Sequence, residues 1–173
     1  MPVTYEPIAT QTVTGSVAAN VTFSSITTAY TDLVLVMSIR SDRPTDGSAS
    51  VRLEFNGDTA NNFSSVYIYG QGASAASGTS TSTAPMPQIG EAPGGPTLTT
   101  TYGLVKVNLF SYTGSAHKTI LSEWAADLSG SGYVGRTVGL WRSTSAINAI
   151  KITISSRNIE VGSNFTLYGI KAA

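Results

Sequence analysis

The residues that could carry out acid–base or metal chemistry are few in this chain. His117 is the only histidine, and there is no cysteine. A metal site built on histidine or thiolate ligands would need more of them, so none is predicted. A Ser-His-Asp arrangement would have to use His117, but no Gly-x-Ser-x-Gly motif follows a predicted strand and opens a helix. We therefore expect His117 to be a surface residue that starts a strand.

The ten carboxylates include two pairs that are close in sequence, Glu54 with Asp58 and Glu123 with Asp127. A glycosidase needs two carboxyl groups that face each other across a cleft. Closeness along a strand does not place side chains in that way. Glu123 beside Trp124 is typical of a polar strand residue next to a core aromatic. These acids predict no catalytic site.

Residues 55–59, with the sequence FNGDT, allow two interpretations. Asn-Gly is the strongest short signal for a β-hairpin, because both residues tolerate positive φ. Asp58, Asn61 and Asn62 also bring together oxygens that could bind calcium, but Glu54 is the only other acid nearby. Calcium takes several carboxylates and carbonyls together. We favour the turn, in which Asp58 and the asparagines bond to the loop itself, and we expect neither a metal nor a cofactor.

The composition indicates an all-β protein with a hydroxyl-rich surface. The chain has 173 residues, of which only 12 % are charged, and it contains 23 serines and 23 threonines. Threonine fits the pleated surface of a sheet. The net charge is zero and the basic residues are dispersed, which argues against a nucleic-acid partner. The apolar stretches are too short to cross a bilayer, and the N-terminus lacks the pattern of a secretory signal, so we expect no membrane partner.

Alternation of apolar and polar residues predicts ten strands. Ten short strands separated by turn residues are typical of one β-sandwich or barrel domain, here residues 1–173. The predicted strands lie near residues 8–13, 20–26, 32–40, 49–55, 65–70, 102–110, 118–126, 134–141, 147–155 and 164–170.

Two segments fall outside this pattern. Residues 71–100 are rich in Gly, Ser, Thr, Ala and Pro, which predicts a long loop. This loop is either a flexible linker or an extension that becomes ordered against a partner. In the second case Met86 and Ile89 would be its apolar anchors, and residues 1–14, with Pro2 and Tyr5, would form a second contact arm.

Tyr67 and Tyr69 share one face of a predicted strand, whereas Val66 and Ile68 share the other. Exposed tyrosines could stack on sugars or on a protein partner. Buried at a subunit interface, they would act as anchors. We include both tyrosines among the candidate interface residues.

Several short motifs follow one another along the chain. They lie at residues 23–26 (FSSI), 30–33 (YTDL), 56–59 (NGDT) with 62–64 (NFS), 139–147 (GLWRSTSAI) and 165–170 (FTLYGI). Their order resembles a family of small structural proteins of tailed bacteriophages, known from cyanobacterial and marine phages. The resemblance covers most of the chain except residues 71–100, and its motifs are structural. One departure is Phe63, where the resemblance leads us to expect tyrosine.

The resemblance implies a virion component that is not an enzyme. We expect a capsid cement, or decoration, protein with a jelly-roll-like antiparallel β-sandwich. It would form a homotrimer, be made in the host cytoplasm, and bind the major capsid protein on the outside of the capsid. The alternative is the tip of a tail fibre, with Tyr67 and Tyr69 meeting glycans of the host surface. A third possibility is an enzyme that cleaves host polysaccharide.

Overall fold

The computed structural model describes residues 5–171, and these residues form twelve β-strands. Each of the ten predicted strands overlaps one of them, and all strand pairs are antiparallel. In chain order the strands are β1 (Tyr5–Thr12), β2 (Val21–Phe23), β3 (Asp32–Ile39), β4 (Gly47–Phe55), β5 (Phe63–Gln71), β6 (Ser74–Thr83), β7 (Met86–Gly94), β8 (Gly103–Leu109), β9 (Lys118–Asp127), β10 (Gly132–Trp141), β11 (Ile150–Ile154) and β12 (Asn164–Ile170).

The strands form two sheets of unequal size. The larger sheet has eight strands in the order β1-β12-β3-β8-β9-β10-β5-β6. The smaller sheet has four, in the order β2-β11-β4-β7. The two inner faces share one hydrophobic core, so the predicted all-β sandwich is confirmed.

Eight of the strands have the connectivity of a jelly roll. The first pairs with the last, β1 with β12, and the pairing continues inward as β2 with β11, β3 with β8, and β4 with β7. Such nested pairs are one long antiparallel ribbon folded over itself, which gives the two packed sheets of a jelly roll. The jelly-roll expectation is therefore correct for this part of the chain.

Two additional hairpins enlarge one sheet only. The β5–β6 hairpin is inserted between β4 and β7, and the β9–β10 hairpin between β8 and β11. Since β9 pairs with β8 and β10 pairs with β5, the two hairpins lie side by side and extend the larger sheet beyond β8. This extension gives the larger sheet a broad outer face.

The core follows from period-two alternation. Leu33, Leu35, Met37 and Ile39 point inward from β3 and are at most 1 % exposed. Ile150, Ile152 and Ile154 also point inward from β11, as their spacing predicts, and are at most 4 % exposed. Successive residues of a strand face opposite sides of a sheet, so every second side chain of a central strand is buried in the core.

The structure corrects the prediction of a long loop at residues 71–100, because β6 and β7 occupy most of this segment. β6 lacks apolar alternation, since it is an exposed edge strand built from Gly, Ala, Ser and Thr. β7 contains Pro87 and Pro93, which sequence rules count against a strand. Prolines are tolerated in β7 because it is also an edge strand.

The prediction of a contact arm at residues 1–14 is also corrected. Residues 1–4, including Pro2, lie outside the described residues. Residues 5–12 form β1, which pairs with β12 along its length. This part of the chain therefore belongs to the jelly roll.

The Asn-Gly turn is observed, but it does not make a hairpin. Asn56 and Gly57 have φ of 54° and 69°, and the Asp58 amide donates to the Phe55 carbonyl across 2.9 Å. β4 before the turn belongs to the small sheet, whereas β5 after it belongs to the large one. The turn thus carries the chain from one sheet to the other.

Candidate interaction surface

The outer face of the eight-stranded sheet exposes large apolar side chains. Their exposed fractions range from 41 % to 70 %, although aliphatic residues on a sheet are usually covered. The extension strands β5 and β10 carry four of them, and β3 and β8 carry one each. They are Val36, Val66, Ile68, Leu104, Val134 and Val138.

The strand register places these side chains in three neighbouring rows that cross the sheet. Val66 is directly opposite Val138, which is opposite Leu121. In another row Leu104 is opposite Ala125, which is opposite Val134. Side chains opposite one another on antiparallel strands are close enough to touch. Val36 and Ile68 lie at the two ends of the third row, between these two, so the six exposed side chains share one face as an apolar surface that the middle of this row divides.

One row of charges runs between the two apolar rows. Lys106 on β8 is opposite Glu123 on β9, which is opposite Arg136 on β10. Arg136 Nη2 lies 2.5 Å from Glu123 Oε1, and both side chains are solvent-accessible, at 68 % and 39 % exposure. The row carries a net charge of +1. It lines a shallow depression of about 680 Å³ together with Ile68, Leu104 and Val134.

The apolar surface ends toward the β1 edge of the same face. There Thr10 and Thr166 form a hydroxyl–hydroxyl hydrogen bond of 3.1 Å, and Asn164 Nδ2 donates to Thr12 Oγ1 across 2.7 Å. The apolar surface is thus a property of the centre and the extension of the sheet.

The outer face of the four-stranded sheet is polar and internally bonded. Gln88 Nε2 donates to Glu91 Oε1 across 2.5 Å, and Ser50 Oγ donates to Gln88 Oε1 across 2.7 Å. Lys151 Nζ lies 3.3 Å from Glu54 Oε2. Glu54 and Glu91 are each only 8 % exposed. These partners satisfy the charges that burial would otherwise make costly.

Asp58 forms another closed polar cluster. Its Oδ2 accepts hydrogen bonds from Trp141 Nε1 at 2.7 Å and Asn62 Nδ2 at 3.0 Å, and its Oδ1 accepts from the Ala60 amide at 2.9 Å. The bonds from Asn62 and Trp141 lower the pKa of the Asp58 carboxyl below its ordinary value. The interpretation of Asp58 as a loop-fixing residue is confirmed.

Asn56 fixes the other side of this turn. Its Oδ1 accepts from the amides of Asn148 and Ala149, and its Nδ2 donates to the Ala146 carbonyl. Within residues 5–171 no group of three or more His, Cys, Asp or Glu side chains is arranged to hold a metal ion.

The prediction that Met86 and Ile89 are interface anchors is corrected by the structure. Both side chains are fully buried in the core, so neither can act as an exposed anchor for a partner. β7 is fastened to the opposite sheet by hydroxyls: Thr137 Oγ1 donates to the Gln88 carbonyl across 2.5 Å, and Ser122 Oγ donates to the Ile89 carbonyl. The prediction failed because it treated this segment as a loop.

The predicted tyrosines have different surroundings. Tyr5 is 49 % exposed on the edge strand β1 and contacts Tyr168 edge to face. Tyr67 and Tyr69 lie on the inner face of β5, where they are half-buried and stacked with ring centroids 6.2 Å apart. Tyr69 also contacts Trp124 and Tyr133. Val66 and Ile68, rather than the tyrosines, face outward.

Sequence reasoning missed the apolar surface for a physical reason. β5 is apolar on both faces, so its alternation does not reveal which face is inside. β10 gave a clearer signal, since Val134 and Val138 alternate with buried Thr137 and Trp141. That signal could have been used only with knowledge of which side the second sheet covers.

The remaining candidates for chemistry are isolated. His117 is exposed just before β9, as expected. Glu123 pairs with Arg136 on the outer face, while Trp124 is 4 % exposed in the core. Within residues 5–171 no helix is long and apolar enough to span a membrane. Comparisons with protein-family models, curated proteins and solved structures find no match to this chain.

Proposed function

We propose that this chain is a non-enzymatic structural protein of a tailed-phage particle. In this proposal it is a cement protein that binds the assembled shell of major capsid protein through the outer face of its eight-stranded sheet. The supporting observation is the exposed apolar surface on β3, β8, β10 and β5, which a single charged row divides. Exposed apolar patches of this kind mark interaction sites. That the protein belongs to a virion is inferred from the resemblance of its sequence motifs.

The energetics suit attachment to a repetitive surface. Complete burial of a Val, Leu or Ile side chain contributes about 1.5–3 kcal/mol, and roughly half of that is still available to a half-exposed residue. Six such residues offset much of the free-energy cost of association, and one contact is therefore of moderate strength. A ligand that binds only the assembled shell stabilises that shell by mass action. Many copies on one shell act together.

The charged row indicates the character of the partner surface. Lys106 and Arg136 flank a single acid, Glu123, so the row is net positive. A flat apolar surface with a carboxylate opposite Lys106 is complementary to it. A second copy of the same face is less suitable, because two net positive rows repel each other.

Co-sedimentation with capsid shells that lack this protein tests the proposal. We expect the wild-type chain to pellet with the shells and to raise their temperature of disassembly. The variant Leu104→Glu/Val138→Lys places two charges on the apolar surface without changing the net charge, and it should stay in solution. The matched control Thr99→Glu/Thr22→Lys changes exposed positions between β7 and β8 and on β2 of the small sheet, and it should pellet normally.

Two outcomes contradict the proposal. One is equal binding by both double variants, which would exclude the apolar surface as the binding site. The other is location of the protein only at the tail of purified virions. That result would support the fibre-tip alternative, although half-burial of Tyr67 and Tyr69 leaves less ring surface for a glycan than that alternative assumed.

A further inference from the structure

Among residues 5–171, four strands end the two sheets, and each has a row of backbone groups without a neighbouring strand. β1 and β6 are the edges of the large sheet, and β2 and β7 are the edges of the small one. An open edge is a template for pairing with another chain, and proteins usually protect it with proline, charge, a bulge or short length.

Three of these edges carry such protection. β1 contains Pro7 and a register shift between Pro7 and Ala9. β7 contains Pro87 and Pro93, and its pairing with β4 is also interrupted. β2 has only three residues, and Gln11 Nε2 donates to the Thr22 carbonyl across 2.8 Å. Further strands are thus discouraged at each of these edges.

β6 has none of these features between Ser74 and Ser80, and the one register shift in its pairing with β5 lies beyond Ser80. It has ten residues, SAASGTSTST, without proline or charge, and most of them are exposed. Its pairing with β5 is uninterrupted from Ser74 to Ser80. Within residues 5–171 no side chain hydrogen-bonds to the backbone of this stretch. Alternate residues of an edge strand direct their amide and carbonyl groups away from the sheet, so β6 presents an open row of donors and acceptors.

The open edge is also held firmly in place. The ring of Tyr67 lies over Gly78, where an added Cβ would come within 2.3 Å of Tyr67 Oη. This close contact fixes β6 on its neighbour β5. A preorganised edge loses little conformational entropy when another strand adds to it.

We propose that β6 pairs antiparallel with β6 of a second copy of this chain. Two identical edges related by a two-fold axis satisfy each other's donors and acceptors. β6 is uncharged, so its own side chains place no like charges opposite one another. The uninterrupted stretch is centred on Ser77, which places the two-fold axis beside that residue, with Ala75 opposite Thr79 of the second copy.

The pairing would join two apolar surfaces into one. Ser77 is the direct neighbour of Ile68, so the apolar surface of each copy begins one strand away from the axis. The joined sheet has eight strands from each copy. This arrangement closes at two copies, in contrast to the trimer expected from the sequence, and it does not depend on the capsid proposal.

Cysteine trapping suits this test, because the chain has no cysteine. An edge of ten residues is about 34 Å long, which is small for an interface, so we expect a weak dimer that a covalent bond can capture. Under mild oxidation Ser77→Cys should form a disulfide-linked dimer. Ala75→Cys mixed with Thr79→Cys should also cross-link, whereas each of these two alone should remain monomeric. Thr10→Cys on the protected β1 edge is the matched control.

Ser77→Lys provides a non-covalent test, since it places two lysines opposite each other at the axis. Sedimentation at high protein concentration should show less dimer than for the wild type, with the same melting temperature. The proposal is overturned if Ser77→Cys cross-links no more than Thr10→Cys. It is also overturned if Ala75→Cys or Thr79→Cys cross-links alone as well as the mixture does, or if closed trimers form.

Discussion

The two outer faces of this sandwich differ in how their side chains are satisfied. On the four-stranded sheet, polar side chains bond to one another, as in the Ser50–Gln88–Glu91 chain. On the eight-stranded sheet, Val138 and Leu104 are 50 % and 62 % exposed. The acids of the first face have their partners within one chain, whereas the apolar side chains of the second face are left exposed.

The difference follows from the added hairpins. Without β5–β6 and β9–β10, the large sheet would have four strands, equal in number to the small sheet. The hairpins widen the larger sheet and carry Val66, Ile68, Val134 and Val138, which are most of its exposed apolar residues. The jelly roll thus supplies the stable core, and we infer that the extension supplies the interaction surface.

The largest effect should come from charging the apolar face. Leu104→Glu/Val138→Lys should weaken binding to capsid shells at least about 100-fold, because buried charges without partners are costly. Its urea midpoint should stay within experimental error of the wild type, since both positions are exposed. A large loss of stability would show that this face supports the fold.

Glu91→Ala tests the opposite face. It removes the acceptor of Gln88 and should lower the free energy of unfolding by about 2 kcal/mol, the usual cost of leaving a buried polar group without a partner. Shell binding should not change. Val138→Ala is the control on the apolar face and should change stability by less than about 0.5 kcal/mol. Similar unfolding free energies for the two variants would remove the distinction between the faces.

Asp58→Asn extends the comparison to the closed cluster between the two sheets. Loss of the charge-assisted bonds from Trp141 and Asn62 should cost about 1 kcal/mol at pH 7, measured by urea unfolding. The pKa of Asp58 is lowered in the folded protein. Its contribution is therefore complete above the unfolded pKa, about 3.9, and is lost as the pH falls through the folded value. The difference between wild type and variant should shrink below about pH 4, and a constant difference down to pH 2 would contradict this origin.

The smallest effect should come from the solvent-exposed ion pair, and a comparison of the two sheets shows it. Glu54→Gln on the small sheet should cost about 1 kcal/mol, because this carboxylate is nearly buried beside Lys151. Glu123→Gln on the large sheet should cost less than about 0.5 kcal/mol, since its pair with Arg136 is exposed to solvent. Thermal unfolding of the two variants in parallel checks this order, and a reversed order would contradict it.

The sequence predicted the positions of the strands better than it predicted which strands lie side by side in a sheet. Alternation located ten strands, because burial of one face is encoded within each strand. It missed β6 because neither of its faces is apolar. The Asn56–Gly57 turn was identified, but a turn sets only the local direction of the chain, so it did not show that β4 and β5 join different sheets. The apolar surface depends on which side of β5 the core covers, and that is a property of the assembled fold.

A reconstruction of the purified virion would test the central claim most directly. The claim predicts that density for this protein lies on the capsid exterior. It also predicts that the outer face of the eight-stranded sheet lies against the shell, with Ile68, Leu104 and Val138 covered. The account is contradicted if that face points to solvent while the polar face of the four-stranded sheet contacts the shell.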